Sequence, residues 1–297
     1  MVNNTKAGAA DGAIFDFIRL ISDEDTEVVV RNLGPSLTTS QALTDAADFD
    51  LVVASGGDGT LASVSYELRN TGIPILPFPA GTSNALATNL LSPTETHALA
   101  DLAKNMLTLD FDLAEFECQG TTYGFELVAG CGYDATIMSK AAELKQAMGS
   151  LAYFHAALTN PLPVHSSFTI TLDDDTVLNR QGVGVLVANF SKLQFDLPVA
   201  SENLPRDGLL DVVILGTNNA VELIPGLIST ILDKEHDAKN RMGLEFYKAK
   251  KVEVVADPAL PVQYDGEPVE GTSPYVARIL PGAARYVVCQ ECYDQYA

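Results

Sequence analysis

A run of glycines between a short apolar segment and a helical one constrains this chain more than any other feature. Residues 51–54 are Leu-Val-Val-Ala, which predicts a short buried strand, and residues 55–60 then read Ser-Gly-Gly-Asp-Gly-Thr. Residues 61–68 resume apolar side chains at helical spacing. Glycines let the backbone come close to a ligand, and the free N–H groups at a helix start point toward it. The stretch therefore predicts either an anion-binding strand–turn–helix or a tight turn with no ligand.

Two details favour the anion site. Asp58 lies inside the turn, where a carboxylate repels phosphate unless a metal ion or a proton transfer requires it. A second stretch of similar build follows, with a strand predicted at 73–78, the turn Pro-Ala-Gly-Thr-Ser-Asn at 79–84 and a helix through residue 90. Turns after neighbouring parallel strands lie together at the carboxyl edge of the sheet, where open α/β sheets bind their ligands.

The two turns together resemble those of the diacylglycerol kinase catalytic-domain family, which includes bacterial lipid kinases and the sphingosine and ceramide kinases. Gly-Gly-Asp-Gly-Thr alone is shared with NAD kinases and, more distantly, with phosphofructokinases, whereas the pair at this spacing is more specific. Later motifs extend the resemblance over nearly the whole chain. The resemblance implies an ATP- and Mg²⁺-dependent lipid kinase that phosphorylates a hydroxyl of a diacylglycerol-like lipid.

The resemblance also implies a nucleotide site in the two glycine turns. The residues whose N–H groups would hold the ATP phosphates are Gly56, Gly57, Asp58, Gly59 and Thr60. Thr82 and Asn84 would line the nucleotide site from the second turn. Asp58 would bind the catalytic Mg²⁺ or a bridging water, or orient the acceptor hydroxyl. The family usually begins with a strand and an Asn-Pro-x-x-Gly loop; residues 4–8 are a degenerate copy of that loop or, alternatively, a frayed terminus.

Two later turns carry candidate catalytic carboxylates. Asp134 follows a Gly-x-Gly pair and by itself reads equally as the cap of a helix predicted from residue 136. The resemblance places it on the lipid-headgroup side of the site. Asp265-Gly266 predicts a hairpin turn, and the resemblance makes Glu267, which follows it, a candidate acid–base residue. Whether Asp58 or Glu267 is the general base stays open.

A third turn, at 204–209, is a candidate metal site. Its Asp-Gly pair is typical of an ordinary surface turn. In bacterial members of the family the matching turn holds a structural or regulatory Mg²⁺. By position its ligands here would be the carboxylate of Asp207 and the backbone carbonyls of Leu204 and Leu209, which are the hard oxygen donors that Mg²⁺ prefers.

The hydrophobic pattern changes near residue 110 and divides the chain. Up to residue 109, predicted strands and helices alternate, which is typical of a parallel sheet covered on both faces. From residue 110 onward, many strands separated by polar turns favour a β-sandwich, interrupted by helices at 136–147 and 220–232. We therefore predict an α/β nucleotide-binding domain at 1–109, of the NAD kinase and diacylglycerol kinase type. The β-rich lipid-substrate domain follows at 110–297, with the C-terminal tail packing back on the first domain.

Charge and hydropathy restrict the partners. The formal net charge is -21, from 18 basic and 39 acidic residues, which argues against nucleic-acid binding and against a general attraction to anionic lipid. No apolar run approaches the roughly 18 residues of a membrane span, and the N-terminus lacks the basic and apolar regions of a signal peptide. We expect a cytoplasmic protein that meets its lipid peripherally at a membrane surface. The oligomeric state is left open, with a homodimer as one alternative.

Two other functions are weighed against the lipid kinase. A kinase of a soluble cofactor such as NAD would share the first glycine turn, but the second turn and the Asp-Gly-Glu turn favour a lipid acceptor. A catalytically inactive nucleotide-binding regulator is favoured by the almost absent first strand and by Ala85, where the family often has aspartate. The four cysteines are expected to be free thiols, because Cys289-x-x-Cys292 lacks the second pair of a zinc site.

Overall fold

The computed structural model describes residues 1–7, 12–132, 164–190, 192–193, 197–198, 204–216 and 243–297. The chain forms two compact units, of which the first is Met1–Leu113 with Pro281–Ala297 and the second is Ala114–Leu280. The helices predicted at 136–147 and 220–232 lie outside the described residues. No helix within the described ranges is both long and apolar enough to cross a membrane.

The first unit is an α/β unit built on a parallel sheet. Its strands are β1 (Val2–Asn4), β2 (Arg31–Leu33), β3 (Val52–Gly56), β4 (Ile75–Pro79), the start of β5 (Thr108–Cys118) and the end of a long strand, β18 (Tyr275–Val287). The helices are α1 (Ala13–Ile21), α2 (Thr39–Ala42), a 3-10 turn (Ala46–Asp48), α3 (Asp58–Glu67), α4 (Ala85–Asn89), α5 (Thr96–Asn105) and α6 (Gln290–Tyr296). The parallel strands follow the order β2-β1-β3-β4-β18.

Both faces of this sheet are covered. Phe17 of α1 and Leu99 of α5 are buried in one cluster with Val287 of β18, and the ring of Phe17 meets that of Phe78 at 5.4 Å in an edge contact. The adjacent Tyr286 points to the opposite face because side chains alternate along a strand. There its hydroxyl lies 2.6 Å from Oγ of Ser65 on α3, and both groups are buried.

The second unit is β-rich, and its described residues form two large sheets and a separate two-stranded pair. Its strands are β6 (Thr121–Phe125), β7 (Val128–Gly132), β8 (Ser166–Leu172), β9 (Thr176–Gly182), β10 (Gly184–Ala188), β11 (Lys192–Leu193), β12 (Leu197–Pro198), β13 (Leu210–Leu215), β14 (Leu244–Ala249), β15 (Lys251–Asp257), β16 (Pro261–Tyr264) and β17 (Glu267–Thr272), with the remaining parts of β5 and β18. One sheet has the order β18-β15-β8-β9, with β5 joining β18 to β6, and the other has the order β14-β13-β10-β7-β16-β17.

The two sheets of the second unit share one hydrophobic core. Phe168 and Ile170 of β8 belong to the same buried cluster as Val185 and Val187 of β10, which lies in the other sheet. The alternation of apolar and polar residues predicted this inward face of β8, since Thr169 between them is exposed. The predicted fold class, an α/β parallel-sheet part followed by a β-sandwich, is confirmed.

Several predicted elements have different bounds. The sequence Glu-Val-Val-Val-Arg at 27–31 predicts a strand. Pairing begins only at Arg31, because β1 is three residues long and aligns with Arg31–Leu33. Residues 2–4 are not frayed, since β1 pairs with both β2 and β3. The sequence predicts a helix at 94–105 with Ser92 or Thr94 as its cap, but α5 begins at Thr96 and has no side-chain cap bond.

Two predictions in the β-rich part also change. The apolar pattern predicts one strand at 123–129, but the structure has two, β6 and β7, separated by Glu126 and Leu127. Conversely, the pattern predicts separate strands at 276–280 and 286–288, but residues 275–287 form the one continuous strand β18.

Candidate active site

Three polar turns follow β1, β3 and β4 at the same edge of the parallel sheet. Asn4, the last residue of β1, donates from Nδ2 to Oγ1 of Thr60 at 2.9 Å, which ties the first turn to the second. Gly57 follows β3 and is the N-cap of α3. Residues 80–84 follow β4 and lead into α4. The first residues of the chain therefore contribute to this edge, although their sequence departs from the family pattern.

The turns after β3 and β4 approach so closely that only glycine fits at their contact. A Cβ atom added to Gly81 would lie 2.9 Å from Oδ1 of Asn84 and closer still to the Cα of Gly57. A Cβ added to Gly56 would come within 3.0 Å of the side chain of Thr60. The glycines thus keep two backbone segments together and leave a small pocket whose lining includes Gly57, Asp58 and Asn84.

Asp58 joins the two turns through a hydrogen bond. It is the first residue of α3 rather than part of the preceding turn, and it is half-buried. Its Oδ1 accepts the backbone N–H of Leu86 at 2.9 Å, near the start of α4. One carboxylate oxygen therefore satisfies an N–H group of the first turn of α4 that has no helical partner. Asp58 thus has a structural contact in addition to any part in binding.

Asn84 closes the second turn with its side-chain amide. Its Oδ1 accepts the N–H of Gly81 at 2.9 Å, and its Nδ2 donates to the carbonyl of Gly81 at 3.0 Å. The backbone of Asn84 is left-handed, with φ of 49°, which asparagine tolerates better than most residues. Thr82 lies at the exposed tip of the loop that these bonds close.

The Asp-Gly-Glu turn of the second unit is a two-residue hairpin, as predicted. Asp265 and Gly266 have φ of 45° and 85°, the signature of a type I′ turn, and Tyr264 pairs with Glu267 across it. Glu267 begins the edge strand β17 and is exposed. Asp134 lies outside the described residues, so its expected place beside the lipid headgroup stays a prediction.

The residue in this turn that sequence interpretation missed is Asp265. Its Oδ2 accepts the N–H of Glu126 at 2.8 Å, and its Oδ1 accepts the N–H groups of Leu127 and Val128 at 2.8 and 3.0 Å. The Asp-Gly pair indicated the turn but gave no sign of these partners, which lie more than 130 positions earlier in the chain. The same contacts explain the gap between β6 and β7, because two of the N–H groups belong to the residues that separate them.

Aromatic rings pack against Tyr264, the residue that precedes the hairpin turn. Tyr264 stacks on Tyr123 with ring centres 4.9 Å apart, and Phe116 lies against both rings. Both tyrosines are half-buried. Burial raises the pKa of the Tyr264 hydroxyl, and the nearby carboxylate of Glu267 raises it further.

Asp207 of the predicted metal turn is bonded to a cation of the protein itself. Its Oδ2 accepts from Nζ of Lys248 at 2.7 Å, and its Oδ1 accepts the N–H of Leu209 at 3.0 Å. Lys248 also lies 3.3 Å from Asp211. Burial lowers the pKa of Lys248, but the two carboxylates outweigh this effect and the net pKa is raised. The carbonyl of Leu204 accepts the N–H of Asp207 at 3.3 Å.

No group of three or more histidine, cysteine or acidic side chains within the described residues is arranged to hold a metal ion. The predicted ligands at 204–209 are one carboxylate and two carbonyls, so that finding does not bear on them. All four cysteines are free thiols. Cys289 is the N-cap of α6, where its sulfur accepts the N–H of Cys292.

Two domain families match the chain. The family described as "Diacylglycerol kinase catalytic domain" matches residues 1–116, and the family described as "YegS C-terminal NAD kinase beta sandwich-like domain" matches residues 127–288. The chain belongs to the diacylglycerol kinase catalytic-domain family. The resemblance inferred from the glycine turns is thereby confirmed, and the family supports a kinase that uses ATP.

Relatives in this family come from several bacteria. The "Probable lipid kinase YegS-like" of Klebsiella pneumoniae is 24% identical over 96% of this chain and 94% of its own length. The diacylglycerol kinase of Mycobacterium tuberculosis is 28% identical over 73% of this chain and 70% of its own length. A Synechocystis protein is 27% identical over 88% of this chain, which spans only 59% of that relative's length.

Solved structures share the family fold. A diacylglycerol kinase from Bacillus anthracis superposes with a TM-score of 0.72 at 18% identity, covering 98% of this chain and 96% of the other. An NAD kinase from Archaeoglobus fulgidus, solved in complex with ATP, gives 0.56 at 14% identity over 99% of this chain and 95% of the other. At these identities the likeness shows the fold alone.

Proposed function

We propose that this protein transfers the terminal phosphoryl group of ATP to a hydroxyl of a diacylglycerol-like lipid, with Mg²⁺ as the accompanying ion. The main support for ATP binding is the contact between Gly57 and Gly81, where a Cβ added to Gly81 would collide with the opposite turn. Phosphate sites need backbone N–H groups that a ligand can approach closely, and glycines without side chains supply that approach.

The nucleotide phosphates would lie against the start of α3. The N–H groups from Gly56 to Gly59 would donate to phosphate oxygens, whereas the N–H of Thr60 already donates to the carbonyl of Gly57 at 3.0 Å. The positive end of the ten-residue helix favours the added negative charge. Asn84 holds the second turn closed, so that Thr82 at its tip would line the nucleotide. These residues suit the phosphates of ATP, because the glycines have no side chain that would block the approach to the backbone of the turn.

Asp58 would hold Mg²⁺ or a water bound to it, or orient the acceptor hydroxyl. Its Oδ1 already accepts the N–H of Leu86, which fixes the carboxylate and leaves Oδ2 as the oxygen available to an ion. Carboxylate oxygen is the donor that Mg²⁺ prefers. When bound, Mg²⁺ offsets the negative charge of the phosphates. The task of the chain's own residues is to position the reactants and to complement their charge, which is the main requirement of phosphoryl transfer.

The acceptor would be supplied and deprotonated by residues of the lipid-substrate domain that we propose at 110–297. Glu267 is exposed at the start of β17 and is the candidate base for the acceptor hydroxyl. Asp134 is the candidate on the headgroup side. The nucleotide domain at 1–109 would then bind ATP without being able to complete the transfer alone.

A second Mg²⁺ is proposed at the turn formed by Leu204, Asp207 and Leu209, with a structural or regulatory task. One observation supports it: the carboxylate of Asp207 already binds a cation, the ammonium group of Lys248, at 2.7 Å. The donors are hard oxygens and fit the ion. Mg²⁺ would compete with Lys248 for Asp207.

ATP turnover measured without an acceptor and with each of two acceptors tests the proposal. The parent protein is incubated with labelled ATP and Mg²⁺ alone, with diacylglycerol in mixed vesicles of neutral lipid, or with NAD, and products are identified by mass spectrometry. Phosphorylated lipid in the second arm alone is the expected result. Phosphorylated NAD would favour a kinase of a soluble cofactor, and ATP binding without any product would favour a regulator.

A further inference from the structure

The carboxylate of Asp265 fastens the Asp-Gly-Glu turn to a distant part of the second unit. Its two oxygens accept the consecutive N–H groups of Glu126, Leu127 and Val128 at 2.8 to 3.0 Å. Its own N–H donates to the carbonyl of Val128 at 2.8 Å. We call these four hydrogen bonds the Asp265 clasp. Since hydrogen bonds to a charged group are stronger than neutral ones, the clasp is a strong link between the two segments.

The clasp fixes the position of Glu267. Glu267 is only two residues beyond Asp265, and among the described residues its strand β17 forms the edge of the sheet, with β16 as its one neighbour. An edge strand is held from one side only, so its first residue depends strongly on the turn that precedes it. The turn is also held by Gln263, a fully buried residue whose Oε1 accepts the N–H of Gly266 at 2.9 Å.

The clasp also acts on the segment that leads to Asp134. The N–H groups it accepts precede and begin β7, and β7 pairs with β16 so that Ala129 lies opposite Tyr264. Chain connectivity carries β7 on to Gly132, two positions before Asp134. One carboxylate thus fixes the register between β7 and the hairpin that carries Glu267.

We propose that Asp265 is a positioning residue for phosphorylation of the acceptor: its carboxylate holds Glu267, and the strand leading to Asp134, in the arrangement that transfer requires. The proposal rests on the proposed function. A carboxylate suits this task because it only accepts hydrogen bonds, and all three partners are donors. An asparagine in its place keeps one oxygen acceptor but presents an NH₂ group to a backbone N–H.

A second aspartate of the same unit provides a matched control. Asp173 also has a left-handed backbone, with φ of 52°, and its Oδ1 accepts the N–H groups of Lys250 and Lys251 at 2.8 and 3.0 Å. Its own N–H donates to the carbonyl of Lys251 at 2.9 Å. Asp173 therefore makes the same kind of clasp in a turn that carries no candidate site residue. Glycine tolerates both backbone conformations, so Asp265→Gly and Asp173→Gly remove comparable contacts without adding backbone strain.

The experiment compares Asp265→Gly, Asp265→Asn and Asp173→Gly with the parent. Steady-state kinetics with diacylglycerol and ATP give kcat and both KM values, calorimetry gives ATP affinity, and hydrogen exchange reports the N–H groups of residues 126–128. In Asp265→Gly we expect exchange at 126–128 to accelerate at least about tenfold and kcat to fall at least about tenfold, with ATP affinity within about twofold of the parent. Asp265→Asn should lie between Asp265→Gly and the parent, and Asp173→Gly should keep the parent's kcat.

The outcomes separate this proposal from the proposed function. If the parent phosphorylates lipid and Asp265→Gly does so with the parent's kcat, the positioning role is wrong while the proposed function stands. If Asp173→Gly lowers kcat as much as Asp265→Gly, the effect is general destabilisation and the positioning role is again wrong. If the parent phosphorylates no lipid, the proposed function fails and the positioning role falls with it.

Discussion

Replacing Gly81 by alanine adds one methyl group where the two glycine turns come closest. The added Cβ would lie 2.9 Å from Oδ1 of Asn84 and closer still to the Cα of Gly57. Ordinary van der Waals contact begins at 3.4 Å, so the second turn must move away from the first by more than 0.5 Å. Gly57 offers no side chain that could rotate aside, and the whole displacement falls on the backbone.

Two effects of different size follow from this displacement. Forcing an extra carbon into a packed site costs about 1–3 kcal/mol of folding free energy, and each kcal/mol lowers the Tm of a protein of this size by about 2–4 °C. A displacement approaching 1 Å in a positioning element costs on the order of 100-fold in activity. We therefore expect Gly81→Ala to remain folded at 25 °C while ATP affinity falls at least about tenfold.

Calorimetric titration with ATP, beside thermal unfolding of the same preparation, measures both effects. Gly34→Ala is the control, because a Cβ added there would meet no heavy atom within 4 Å. That variant should bind ATP as the parent does. If Gly81→Ala binds ATP with the parent's Kd and melts at the parent's temperature, the close approach of the two turns has no part in nucleotide binding.

Three further predictions concern single side chains. Asp58→Asn keeps an oxygen that accepts the N–H of Leu86, so Tm should stay nearly unchanged while kcat falls about 100-fold or more; normal turnover would refute this. Asp207→Ala should reduce the rise in Tm that Mg²⁺ causes without nucleotide, and equal rises in variant and parent would show that the turn binds no ion. Tyr247→Phe removes the hydroxyl that donates to Glu245 at 2.6 Å, at a cost of about 1 kcal/mol or less because the pair is partly exposed. That hydroxyl holds the pKa of Glu245 below its ordinary value of 4.5, so the stability difference seen near neutral pH should shrink as pH falls below 4.5; a constant difference would contradict this.

The strands that could be predicted are those whose own side chains show the burial pattern. In β8, Phe168 and Ile170 alternate with exposed threonines, and the sequence alone indicates a half-buried strand. In β17, by contrast, the side chains are largely exposed and include Pro268 and Gly271, which are poor strand formers. That strand exists because the type I′ turn folds it back onto β16, and a local pattern does not show pairing with a partner.

The candidate site likewise contains features that the sequence predicts and features that it does not. The glycine turns were visible because two turns of similar build each follow a short apolar run, and the pair is more specific than either turn alone. The reason for Gly81 was not visible, since a sequence does not show that the Cα of Gly57 lies where a Cβ would be. Asp265 was missed for a similar reason: its partners at 126–128 are distant in the chain, and their N–H groups belong to the backbone and leave no mark on residue type.

The variant Glu267→Gln is the sharpest test of the proposed lipid kinase, because it separates nucleotide binding from phosphoryl transfer to the acceptor. ATP binding by calorimetry and phosphorylation of diacylglycerol in vesicles are measured on one preparation. Glu270→Gln, another exposed glutamate of β17, is the matched control and should behave as the parent. We expect Glu267→Gln to bind ATP within about twofold of the parent's Kd, whereas lipid phosphorylation falls about 100-fold or more. Lipid phosphorylation by Glu267→Gln at the parent's rate would contradict it.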